Sequence, residues 1–218
     1  MFTFTSLPNL LKILFVSLVF ASCSLVQASE GRKDRYEKYF EDIPWKKVEK
    51  DVWTGDLGDR NLMVRETTLP GEIKIIQRKK PDGRIETFTA DVSGLGAVQC
   101  LWEVVVHISA YFEYCPINDA DWQKALGTAL HDIDKFIVEN MDPPVNFEAL
   151  SKIRLDHFST VKMQIDNADK AKRSGMCKAG PNENGLLWNL HKQGIKKFKY
   201  NVKKALSVPR LPVMSPCL

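Results

Sequence analysis

Two cysteines carried on one helical stretch constrain this chain more than anything else in it. Residues 94–116 read GLGAVQCLWEVVVHISAYFEYCP, with apolar side chains at Val98, Leu101, Val105, Ile108 and Phe112. That is the spacing of a helix with one buried face. Ser93 is placed to cap its start, and Pro116 cannot continue it, which leaves Cys115 at its end. Cys100 and Cys115 are fifteen residues apart, about 22 Å along a helix that rises ~1.5 Å per residue. A disulfide needs its two Cα atoms within about 7 Å. These two thiols therefore cannot join each other, and each must be tied to another part of the chain.

The first residues say which compartment such ties belong to. Lys12 precedes an apolar run, residues 13–21, followed by small residues and a Val26-Gln27-Ala28 site suited to signal peptidase. This reads as a secretory signal over residues 1–28, and the run is too short to span a membrane. An exported location, periplasmic or secreted, is expected. Phe20-Ala21-Ser22-Cys23 offers an alternative, a lipoprotein signal with Cys23 as the lipidated residue. In either case Cys100, Cys115, Cys177 and Cys217 remain, an even set that in an exported chain predicts two disulfides. No Asn is followed two residues later by Ser or Thr, so N-glycosylation is not expected.

A length of 218 residues suits one domain, or one with a small appendage. Residues 29–50 are dense in charge and read as a linker or a short amphipathic helix ending before Pro44. Strand patterns follow at 61–69, 72–79 and 84–91, punctuated by Pro70-Gly71 and Pro81-Asp82-Gly83. In both punctuations proline presets the first turn dihedral and glycine supplies the positive one. A small antiparallel meander over 51–92 is predicted, with Val52 to Thr54 as a candidate extra strand.

Everything beyond residue 93 reads helical. The second helix runs from Asn118-Asp119 to Met141 with Trp122, Leu126, Leu130, Ile133 and Ile137 buried. A third, capped by Asn146, carries Phe147, Leu150, Phe158, Val161 and Ile165 and stops near Gly175. After a loop at 178–184, a fourth carries Leu187, Leu190, Phe198, Val202 and Ala205, and the proline-punctuated remainder is extended. The fold class is thus α+β: a β-meander at about 52–91, then a disulfide-stapled four-helix bundle at about 94–206, with 93–218 including the tail. Short connections favour antiparallel neighbours. In that geometry Cys177 arrives beside Cys115 at one end of the bundle, and Cys217 beside Cys100 at the other.

Motifs for chemistry are sparse. The four histidines, His107, His131, His157 and His191, fall one to each predicted helix. At ~100° per residue, however, only His191 lies on its helix's buried stripe, so no metal and no cofactor is expected. Asp132, Asp134 and Glu139 lie along the second helix without an evident partner for acid–base work. Cys100 near a helix N-terminus is where a thiol is activated, which makes a hydrolase with Cys100 as nucleophile one alternative. Ser93-Gly94-Leu95-Gly96 opens a helix after a strand, but Gln99 stands where the dinucleotide fingerprint wants its third glycine.

The clearest surface signal is charge. From residue 166 onward eleven Lys or Arg face three acids, whereas residues 98–165 hold ten acids against five bases. Lys192, Lys196, Lys199 and Lys203 step by four, three and four, one ridge on a helix. Such a ridge suits an acidic protein, an anionic envelope surface, or the chain's own acidic second helix. Nucleic acid is not an expected partner of an exported protein without interleaved aromatics. The functional expectation is an exported, non-enzymatic interaction protein, such as an inhibitor, an immunity protein or an envelope-associated factor. The other alternative is a peripheral lipoprotein held through Cys23.

Overall fold

Turn chemistry builds the sheet. The computed structural model describes residues 35–48, 62–115, 117–177 and 192–217. The predicted signal with Cys23, the candidate strand at Val52 to Thr54, Pro116, the 178–184 loop, Leu187, Leu190 and His191 lie outside them. Strand β1 spans Lys46–Val48, β2 Leu62–Leu69, β3 Ile73–Lys79 and β4 Ile85–Asp91. They form one antiparallel sheet in the order β1-β2-β3-β4. The β2–β3 turn places Gly71 at φ 77° and Glu72 at φ 60°. A side chain at Gly71 would meet both the positive φ and the Cβ of Arg210, which packs against it. The β3–β4 turn closes with Lys80 N–H donating to Arg84 O at 2.8 Å, and Asp82 accepts from the Arg84 N–H at 3.0 Å.

The three predicted strands appear within a residue or so of their expected ends. The fourth, β1, is Lys46–Val48, inside the stretch read as a linker or short helix. The helical content of that stretch, among the described residues, is one 3₁₀ turn at Glu37–Tyr39.

Five α-helices follow among the described residues: α1 Val98–Tyr114, α2 Ala120–Asn140, α3 Phe147–Asn167, α4 Lys170–Cys177 and α5 Ile195–Ala205. Helix α1 is the middle of the bundle. Its Val98, Trp102, Val105, Ile108 and Phe112 are buried in one apolar cluster with Trp122, Leu126, Ile133 and Ile137 of α2. Leu150, Val161 and Ile165 of α3 and Phe198 and Val202 of α5 complete it. The α2 stripe read from the sequence is buried in full, and Asp119 caps that helix, accepting from Trp122 N–H at 3.1 Å. Asn146 caps α3 in the same way, through Ala149 N–H at 2.8 Å.

Three local expectations are corrected. Helix α1 does not begin at a Ser93 cap. Its N-cap is Ala97, with no side-chain hydrogen bond, because Asp91 holds Ser93 through both its N–H and its hydroxyl. The chain then passes Gly94 and Gly96 at φ 71° and 99°, a conformation no helix contains. Next, the third predicted helix breaks at Ala168 and restarts at α4, with Asp169 capping through Lys172 N–H at 2.8 Å. Arg173 reaches back across the break to Ile165 O and Asp166 O, each at 3.0 Å. Finally, Phe147, expected in the core, is 47% exposed.

The two disulfides join Cys100 to Cys217 and Cys115 to Cys177, each with Cα atoms 5.3 Å apart. These are the partners that antiparallel packing specifies. The extended tail runs between sheet and bundle: Asp91 N–H donates to Ser215 O at 2.7 Å and Gln99 N–H to Val213 O at 3.0 Å.

Candidate functional site

Helix α5, IKKFKYNVKKA, carries five lysines and no acid in eleven residues. Its orientation is fixed from beneath. Phe198, Val202 and Ala205 are buried, and the Phe198 ring meets Trp122 of α2 at 5.4 Å between centroids. Past its C-terminus, Arg210 grips the helix end, donating to Ala205 O at 2.7 Å. The same guanidinium donates to Asp91 at 2.7 Å, Gly96 O at 2.7 Å and Val208 O at 3.0 Å. With both Arg210 and Asp91 side chains essentially unexposed, this buried pair locks β4, the approach to α1, the end of α5 and the tail into one junction. It also ties down the Gly96 carbonyl in the glycine turn that leads into α1.

With the stripe facing inward, Lys196, Lys197, Lys199, Lys203 and Lys204 are all exposed. Among the described residues none of them is in an ion pair. The acidic second helix therefore does not neutralise the ridge. Lysines at the end of α5 agree with the helix dipole, but Lys196 and Lys197 stand in its first turn, where cations are disfavoured. Helix stability does not account for them. One predicted member moves: Lys192 precedes Gly194, which lies at φ 76° and ends any continuous helix. The ridge proper is Lys196, Lys199 and Lys203.

The other candidate residues fall into structural roles. Cys100 is half of a disulfide and presents no thiol for catalysis. Asp134, read as without an evident partner for acid–base work, is buried and accepts from Trp102 Nε1 at 2.6 Å and from Arg154 Nη1 at 2.8 Å. The signal was present in its position: Leu130 and Ile137, four before and three after, belong to the buried stripe. His131 is exposed. His157 of α3 meets Trp102 edge-on at 5.9 Å, and half-buried His107 meets Tyr111 at 5.2 Å. Burial, and then the nearby His157, pull the His107 pKa below its ordinary value, and burial raises that of Tyr111. No cluster of three or more metal-ligating side chains occurs among the described residues.

On the sheet, Arg65 stacks 4.4 Å from the Trp45 ring and 4.8 Å from that of Phe40. It also donates to Gln77 at 2.7 Å. A shallow cleft of ≈ 400 Å³ opens beside Trp45, Met63, Lys79, Lys80 and Pro81, but Lys80 is already paired with Glu86 at 2.5 Å.

These features define a class: a disulfide-braced α+β protein that presents one rigidly mounted cationic helix. No helix among the described residues is long and apolar enough to cross a membrane. Compared with protein-family models, curated proteins and solved structures, the chain matches none.

Proposed function

We propose that this is an exported, non-enzymatic binding protein that uses the outer face of α5 to hold an anionic macromolecular partner. One observation carries the reading: five exposed lysines, none in an ion pair among the described residues, on a helix whose opposite face is anchored by Phe198, Val202 and Ala205. A mounted array of like charges costs self-repulsion that a partner of opposite sign relieves. Export is supported by the apolar run at 13–21 with its cleavage-like site, and by cross-bracing with two disulfides, which persist in oxidising compartments.

The test compares the oxidised chain with its Lys196→Glu/Lys199→Glu/Lys203→Glu variant against two probes, soluble polyglutamate and anionic phospholipid vesicles. The parent should bind at least one at physiological salt and lose it as salt rises, and the variant should bind neither. A parent that binds neither, or a variant that binds as well as the parent, ends the proposal.

A further inference from the structure

We infer that the partner of α5 is the surface of an anionic phospholipid bilayer, met side-on, with Tyr200 at the centre of the footprint. This rests on the binding role proposed above and narrows it to one class of partner.

The placement of Tyr200 is the new observation. At ~100° per residue, Lys199, Lys203 and Lys196 lie on one side of Tyr200, and Lys204 and Lys197 on the other, over an arc of about 160°. Tyr200 sits near the middle of that arc and is 66% exposed. Among the described residues it makes no ring contact and no hydrogen bond. Lysine stems are long enough to swing their ammonium groups from both flanks into one plane. The plane they reach is the one Tyr200 points into.

A convex helix with cations around a central tyrosine fits a flat surface, since a plane touches every one of these groups at once. A folded acidic protein would need a matching groove. Tyrosine is also the side chain suited to a headgroup layer, with an apolar ring and a polar tip. Depth is limited, because the apolar stripe that an inserting helix would bury in lipid is already spent on Trp122 and the bundle core. The helix therefore adsorbs and does not insert. Its attraction is confined to roughly a Debye length, ~8 Å at physiological salt.

The experiment is sedimentation of the full oxidised chain with vesicles of phosphatidylcholine containing phosphatidylglycerol, and with pure phosphatidylcholine. An apolar segment such as residues 13–21 binds both lipids alike, so the difference between them isolates charge. The parent should bind the anionic vesicles more tightly and be released by salt. Lys196→Gln/Lys199→Gln should weaken that binding about thirtyfold, at roughly fivefold per lysine near an anionic leaflet. Tyr200→Ala should weaken it several-fold with the salt dependence unchanged. Tyr200→Trp should retain it, and brominated lipid should quench that variant beyond the parent. If anionic vesicles show no excess over phosphatidylcholine while polyglutamate is held, the bilayer inference falls and the binding role stands. If neither probe is held, both fall. Vesicle binding indifferent to the lysine pair or to Tyr200 also overturns the inference.

Discussion

A guanidinium with no exposed surface must find its partners inside the protein, and Arg210 finds them on stretches far apart in sequence. Asp91 is 119 residues away and Gly96 is 114. Removing one member of such a pair strands the other as a buried charge. Arg210→Met is expected to destabilise by about 3–5 kcal/mol in urea unfolding. Adding Asp91→Leu should recover part of that loss, the coupling a double-mutant cycle reads. His107 makes a pH prediction at the same scale. Its folded pKa lies below the unfolded value of about 6.5, so the unfolded chain binds the proton more readily. The group's contribution is therefore whole above pH ~6.5 and is lost as pH falls through the window beneath it. His107→Gln should flatten that acid limb in unfolding measured between about pH 7 and pH 5. Neither role was open to reading in one dimension: nothing beside Arg210 in the chain announces a partner more than a hundred residues upstream.

Among the elements, the α3–α4 break shows where periodicity misleads. The apolar spacing of Leu150, Phe158, Val161 and Ile165 gives no sign of an end near residue 168, yet the helix stops at Ala168. Asp169 offers its side chain to the Lys172 N–H, and a cap followed by a fresh turn competes with continuing the rod. The break also turns the chain so that Cys177 returns to Cys115, which a straight helix reaching to Gly175 would overshoot. Asp169→Ala should cost about 1 kcal/mol and raise amide exchange across α4 while leaving α3 unchanged. The sheet was more legible, because Pro70-Gly71 and Pro81-Asp82-Gly83 are turn chemistry complete in a few residues. Strand β1 escaped because Lys46-Lys47-Val48 carries no β pattern of its own; it is a strand through its pairing with β2. The charged face of α5 was visible as a step of four and three, but only Gly194 at positive φ separates Lys192 from it.

At the scale of the whole molecule, the disulfides close loops of 62 and 117 residues. Serine at both members of either pair should lower stability by about 2–4 kcal/mol. Hydrogen exchange distinguishes the two losses. Without Cys100–Cys217 the Asp91 and Gln99 amides, which donate to Ser215 and Val213 in the tail, should lose protection. Without Cys115–Cys177 they should keep it. This bracing was legible in the sequence, since a rod too long to pair its own thiols leaves two arrangements for four and antiparallel packing selects one. The partner was not, because a row of lysines states a sign and leaves the shape of its complement to the fold. Arg210 has one more consequence. Hairpins and rods need only the residues within them, whereas Asp91 has no cation to meet without residue 210, and Cys100 no native partner without residue 217. A copy lacking its last nine residues would therefore keep the residues of every described helix and strand and still lack the clasp, and limited proteolysis should cut it faster than the finished molecule.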